Sequence, residues 1–164
     1  KITGAGDLYV QSADQLTKAN ALKNVTITQK GKALDRKYVK VIFKKLKEGV
    51  YKVTYQAQND SELAQVSVKS YVDYQSPKIT GVEDGKSYPV DPSVTVTEKY
   101  ARSLISVSDN ISTLHVADVQ GKITKQNDGS YQVDYEVQDQ AGNKTKITIH
   151  LTAVAQTAYG TAVQ

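Results

Sequence analysis

The sequence predicts an all-β chain of two tandem antiparallel β-sandwiches, and three observations carry that prediction. Apolar or aromatic residues alternate with polar ones, as in Tyr51, Val53, Tyr55 and Ala57 set between Lys52, Thr54 and Gln56. Period two gives a strand one buried and one wetted face. The turn strings QKGK, KEG, EDGK, NDG and QAGN then cut the chain at short intervals, the spacing of many short strands folded back on one another. Finally, the pattern occurs twice. Gly49, Tyr51, Val53, Tyr55 and Gln58 recur as Gly129, Tyr131, Val133, Tyr135 and Gln138, an offset of 80 residues.

The same offset relates Val25 to Ile105, Ile27 to Val107, Leu34 to Leu114, Val39 to Val119 and Phe43 to Ile123. KITG opens the chain at Lys1 and returns at Lys78, an offset of 77, so about three residues enter the second copy near EDGKSYPV. Beyond the Tyr strand the offset is 81, because QDQAGNKTK is one residue longer than its partner loop. Insertions confined to loops, with apolar positions held in phase, are the mark of a duplicated unit.

Taken in order, each KITG reads as an opening strand with Ile inward and Gly releasing the chain into a turn. SADQLTKANALK is the one helical candidate, with Ser12 as cap and Leu16, Ala19 and Leu22 at helix-like spacing. Further strands are expected at Val25–Gln29, Tyr38–Phe43, Ser93–Thr97 and Leu104–Val107. Alternation continues through Val66 and Val68 in copy one and Ile147, Ile149 and Leu151 in copy two. The domains are placed at 1–76 and 77–154, with 155–164 as a linker or disordered tail. DYQSP, from Asp73 to Pro77, is a short and stiff joint that predicts an end-to-end rod.

The 164 residues contain no Cys, Met or Trp. Disulfides, thiol nucleophiles and Cys-ligated zinc are thereby excluded. A cysteine-free chain fits a cytosolic protein or a surface protein of a Gram-positive-type bacterium, since small secreted eukaryotic domains often carry disulfides. The first residue is Lys, so the chain is expected to be a fragment or a processed form. No apolar run approaches the ~20 residues of a membrane-spanning helix, so no membrane span is expected in this fragment.

GSYQVDYEVQDQAGNKTKITIHL resembles the last two strands of a bacterial immunoglobulin-like domain, with its Gly-x-Tyr-x-Val-x-Tyr strand, Asp-x-Ala-Gly-Asn turn and Thr/Ile-rich final strand. SPKITGVEDG is similar to the module's opening strand, and SLISVSDN to its second strand and following loop. The resemblance spans most of Pro77 to Thr152; copy one matches in its skeleton, with Gln29-Lys30 where copy two has Asp109-Asn110. It implies two tandem Ig-like sandwiches of a cell-surface or secreted bacterial protein.

Chemistry is sparse. GVEDGKSY at Gly81 to Tyr88 ends like a phosphate-binding loop, but has one residue too few between its glycines and no helix start after it, given Pro89 and Pro92. It reads as a turn between strands. His115 and His150 have no Gly-x-Ser-x-Gly elbow to serve, and His150 is expected to face solvent between inward Ile149 and Leu151. Loops this short leave little room for a cleft, so an enzyme is not expected.

Calcium is the better candidate. The topology is expected to bring Asp109 and Asn110 to Asp139 and Asn143, facing the joint that holds Asp73. Those residues offer the hard oxygens Ca²⁺ takes, and the resemblance permits such a site. Turn chemistry is the alternative, because Asp-Asn and Ala-Gly-Asn suit tight turns without a ligand. A Lys–Asn/Asp isopeptide staple is a further option. Four Asn-x-Ser/Thr sequons, at Asn24, Asn59, Asn110 and Asn143, would matter only in a eukaryotic source.

The net charge is +4, with lysines gathered in RKYVKVIFKKLK. Lys40 and Lys44 are expected on the wetted face of a strand, with Lys45 and Lys47 in the following turn. The four form a candidate patch for an anionic wall polymer or host glycan, or simply keep the strand soluble and its edge protected. Expected partners are cell-wall polymer, host glycan or neighbouring surface-protein domains, and not nucleic acid. The function expected is a stalk, spacer or S-layer-type building block; the alternatives are that binding module or accessory domains of a large secreted hydrolase.

Overall fold

The computed structural model describes residues 1–153, 155–156 and 162–163. Strands dominate, and the chain divides into two compact units, Lys1–Tyr74 with Gln140–Gly142, and Gln75–Asp139 with Asn143–Gln164.

In the first unit the elements are β1 (Ile2–Thr3), β2 (Leu8–Val10), α1 (Lys18–Ala21), β3 (Thr26–Gln29), β4 (Lys32–Ala33), β5 (Val39–Lys47), β6 (Val50–Asn59) and β7 (Glu62–Val72). They build two sheets, β1-β3-β4 and β2-β7-β6-β5. All neighbours are antiparallel except β2 and β7, which run parallel with Leu8 opposite Ser70. The opening segment is therefore split, with β1 in one sheet and β2 at the edge of the other. The core takes Ile27 from the small sheet and Val39, Val53, Tyr55 and Ala57 from the large one, closed by Ala21 and Leu22 of the helical segment. These are the inward positions of the period-two pattern, which is why alternation in sequence becomes a buried face here.

The second unit repeats the plan. Its elements are β8 (Lys78–Thr80), β9 (Ser87–Val90), α2 (Glu98–Ser103), β10 (Ser106–Ser108), β11 (Gln120–Lys125), β12 (Tyr131–Gln138) and β13 (Lys144–Ala153). The sheets are β10-β8 and β11-β12-β13-β9, with β9 parallel to β13 and Tyr88 opposite Leu151. Val119, Val133, Tyr135, Val137, Ile149 and Leu151 form the centre of its core. Ala155–Gln156 and Ala162–Val163 pair as a short antiparallel ladder. The rest of the expected tail, 157–161 and 164, lies outside the described residues.

One contact recurs at the heart of each unit. The buried Tyr55 hydroxyl donates to the Ala21 carbonyl at 3.0 Å, and the buried Tyr135 hydroxyl donates to the Ala101 carbonyl at 2.6 Å. Each acceptor lies on a short helix whose start is fixed by a threonine. The Thr17 hydroxyl oxygen accepts from Asn20 N–H at 3.2 Å, and that of Thr97 from Tyr100 N–H at 3.1 Å. Both pairs of residues are 80 apart in the sequence.

Three expectations are corrected. Ser12 precedes a 3₁₀ turn, Ala13–Gln15, without bonding it through its side chain; the helix begins later, under Thr17. Ser93–Thr97 is not a strand. Asp91 folds that stretch into a turn by accepting from Ser93 N–H and Oγ–H at 2.8 and 2.7 Å, and the strand falls earlier, in Ser87–Val90. Pro89 is tolerated there because β9 is an edge strand. Finally α2 is a helix the alternation did not suggest.

The KITG glycines have a steric reason. Gly4 and Gly81 adopt φ of +81° and +97°, and a Cβ on either would sit 2.2 Å from the Asn24 carbonyl oxygen or 2.4 Å from that of Leu104. Gly81→Ala is therefore expected to cost more than about 2 kcal/mol, combining left-handed strain with a backbone clash, as read by urea denaturation.

Burial pushes the Tyr135 hydroxyl, ordinarily near 10.0, up to about 12, and pushes that of Tyr55 in the same direction. The unfolded chain ionises first, so the folded state holds these protons more tightly. Stability is thus expected to be level below pH 10.0 and to fall as pH rises toward about 12. Tyr135→Phe is expected to lower stability near neutral pH by about 1 kcal/mol and to make the alkaline loss shallower, checked by melting temperature against pH.

Candidate functional site: a carboxylate pair and a lysine face

Asp109 follows β10, and its Oδ2 accepts from the N–H groups of Ile111 and Ser112 at 3.1 and 2.8 Å. Its Oδ1 is buried with no hydrogen-bond partner among the described residues. Asp139 is buried at the end of β12. Its Oδ1 accepts from Asn143 N–H at 2.8 Å and its Oδ2 from Asn143 Nδ2–H at 2.8 Å. A carboxylate oxygen of Asp109 and one of Asp139 lie within 4.8 Å of each other. Of the other residues in the calcium expectation, Asn110 is exposed. Asp73 belongs to the first unit, where it is buried and its N–H donates to the Val10 carbonyl at 2.8 Å.

The first unit shows what the same position looks like with uncharged side chains. Gln29 and Asn59 stand 80 residues before Asp109 and Asp139, and Asn59 Nδ2–H donates to Gln29 Oε1 at 2.7 Å. Gln29 Nε2–H in turn donates to Glu62 at 3.0 Å. Two amides satisfy one another because each carries donors and acceptors. Two carboxylates without a donor between them carry acceptors alone, so neither can satisfy the other, whereas a cation would satisfy both. Hard oxygens suit Ca²⁺, while the bonds from Ile111 and Ser112 are local Asx-type turn bonds and those from Asn143 close the loop four residues after Asp139.

The lysine candidates separate. Val39 is buried and Val41 and Phe43 pack against the core, which leaves Lys40 and Lys44 on the outer face of the large sheet. Lys45 and Lys47 are not in a turn, as β5 continues through Lys47. Lys45 points to the other side and pairs with Glu48 at 2.8 Å. Lys47 lies past an irregularity in the β5–β6 pairing, opposite Val50. In their place the pairing brings in Lys52 and Lys69. Lys44 is opposite Lys52 and Lys52 is opposite Lys69, so three lysines stand in one row across β5, β6 and β7. Lys52 and Lys69 lie outside the basic run RKYVKVIFKKLK. Mirroring β5 about the KEG turn would have found Lys52; Lys69 needed the β6–β7 register.

The remaining sequence features settle into structural roles. GVEDGKSY forms a turn in which Lys86 N–H donates to the Glu83 carbonyl at 3.2 Å, and strand β9 follows it. His150 stands on β13 between buried Ile149 and Leu151, opposite Gln132. His115 is exposed, and its N–H donates to Asp118 at 2.7 Å. An open depression of about 330 Å³ beside the amide pair is lined by Ile27, Leu34, Ala57 and Leu63 with Gln29 and Asn59. No helix among the described residues is long and apolar enough to cross a membrane.

No protein-family model and no curated protein matches the chain.

The carboxylate pair makes a direct prediction. Calcium is expected to raise the melting temperature of the whole chain, by about 2.7 kcal/mol of stability at a hundredfold excess over the dissociation constant. Asp109→Gln with Asp139→Asn writes the first unit's amide pair into the second. That double variant is expected to be more stable than the parent in chelator and indifferent to calcium. A parent melting temperature that ignores both calcium and chelator would leave the two aspartates with turn chemistry alone.

Proposed function

We propose that the chain is a non-enzymatic structural module, two tandem immunoglobulin-like β-sandwiches of a bacterial cell-surface or secreted protein. It serves as a stalk, spacer or lattice building block. The observation that carries this reading is that one core is built twice, around Tyr55 and Tyr135, each bonded to a helix capped by Thr17 or Thr97. Repeating a unit lengthens a molecule without requiring new chemistry.

The strand plan supports the immunoglobulin-like assignment. In each unit the opening segment divides between sheets, and its second half runs parallel to the last long strand, β2 with β7 and β9 with β13. Around these cores the connections are tight, with two residues between β5 and β6, two between β6 and β7, and five between β12 and β13. Connections this short leave little chain from which to build a catalytic cleft. Absence of cysteine agrees with a bacterial extracellular setting.

A spacer should resist force one unit at a time. Pulled from its termini, the chain is expected to show two separate unfolding events, each releasing a contour of about 250–300 Å for a unit of this size. One event for the whole chain, or featureless extension at low force, would overturn the reading.

A further inference from the structure

We propose that the outer face of the β2-β7-β6-β5 sheet docks a linear phosphodiester polymer without bases, a poly(polyol phosphate), held by the row Lys44, Lys52 and Lys69 with Lys40 two rows further along β5. This goes beyond the spacer reading and does not depend on it, because the argument concerns one face of one unit.

The first observation is the row itself. Lys44, Lys52 and Lys69 are exposed and directly opposite one another on three neighbouring strands, about 4.8 Å apart from strand to strand. Like charges at such positions destabilise a sheet. Among the described residues none of the three, nor Lys40, has an ion-pair partner. The nearest carboxylate along the row, Asp7, accepts the backbone N–H of Lys69 at 3.0 Å.

The second observation is that the fold does not need the row. In the other unit the corresponding positions are Thr124, Gln132 and His150, which pair with each other in the same way. The rest of that face mixes signs: Asp134 accepts from Thr148 Oγ1 at 2.6 Å, and Glu136 lies 3.6 Å from Lys144 and 3.9 Å from Lys146. Charge as a whole follows the same division. Residues 1–74 hold thirteen Lys and Arg against seven Asp and Glu, while 75–164 hold eight against ten. Edge protection accounts for lysines on β5, the edge strand. It does not account for Lys52, because β6 is an interior strand; Lys69 stands next to the stretch of β7, Ser70 to Val72, that β2 covers.

The neighbouring rows choose the ligand class. Thr54 and Ser67 hydroxyls bond each other at 3.0 Å, and Gln56 Nε2–H donates to Gln65 Oε1 at 2.9 Å. These groups are already occupied, which argues against reading sugar hydroxyls. Tyr9 and Tyr71 stack on one another, centroids 5.2 Å apart, and the row itself carries no aromatic on which bases would stack. What the face offers is closely spaced point charge. Lysine ammonium groups bind phosphate in that manner, without the bidentate fork of arginine, and their density suits a polymer charged at every repeat.

The test is retention of the whole chain on immobilised poly(glycerol phosphate). Three phosphate contacts imply that raising salt from 50 to 200 mM weakens binding about 20-fold. Lys44→Gln, Lys52→Gln and Lys69→Gln together should reduce affinity more than about 10-fold, while melting at the same or a higher temperature, since repulsion is relieved. Lys78→Gln, Lys99→Gln and Lys125→Gln together, an equal charge change on the other unit, should bind within about 2-fold of the parent, and Asp7→Asn should bind more tightly. Equal loss in both triple variants, or salt-independent retention, would overturn the site. Competition by single-stranded DNA or a sulfated glycan as effective as that of free poly(glycerol phosphate) would overturn the ligand class.

Discussion

The bond from a buried tyrosine hydroxyl to a helical carbonyl is the constraint on which each unit depends. Tyr55 and Tyr135 stand at the centre of the large sheets, where a phenol must find an acceptor. The acceptors lie on helices of four and six residues, too short to be stable alone because nucleation outweighs so few bonds. Tyrosine and threonine cap therefore hold the helix, and the helix in turn aims the chain into β3 or β10. Just past it, the carbonyls of Asn24 and Leu104 come so near Gly4 and Gly81 that no side chain fits. One hydroxyl thus reaches, through the helix, to the packing of the opening strand. That chain of dependence explains why Thr, Ala, Tyr and Gly keep their places in both copies while the loops between them do not.

With the scaffold fixed, chemistry is free to diverge at loop ends and outer faces. At one loop end the first unit places Gln29 and Asn59, which complete each other, and the second places Asp109 and Asp139, which do not. On the large sheet the first unit sets lysines in a row, and the second sets Thr124, Gln132 and His150 there. Neither change touches the core, so neither costs the fold its buried contacts. The two copies act as controls for one another, since a residue type present in only one is not demanded by the architecture they share.

The fold was legible in the sequence wherever burial imposes a period. The long strands β6, β7, β12 and β13 follow the alternation of their apolar residues, and the turn at Gln29–Lys32 follows the Lys30-Gly31 pair, both at positive φ. Short elements were not legible. Six residues of α2 make under two turns, too few for a helical period to show, and β9 is recruited by pairing with β13 although it contains Pro89. The offset of 80 holds the signal that alternation lacks there, since it carries Thr17 onto Thr97 and the first helix onto the second. Of the candidate sites, Asp109 and Asp139 could be paired from topology alone. Lys52 and Lys69 could not, because strand register, not proximity in sequence, makes them neighbours of Lys44.

A sheet is a good surface on which to hold like charges apart by a fixed amount. Hydrogen-bonded strands cannot spread to relieve repulsion, so the ammonium groups escape only by bending their flexible stems outward. The energy of crowding them is small beside that of the core beneath, where Val53, Tyr55 and Ala57 are buried, and it is screened at ordinary ionic strength. A polyanion lying across the strands would remove it altogether, exchanging lysine–lysine repulsion for lysine–phosphate attraction and releasing counterions from the polymer. The rigid core therefore does more than keep the unit folded. By fixing the register of β5, β6 and β7 it fixes the spacing of the charges above, which residues scattered on a loop would not maintain.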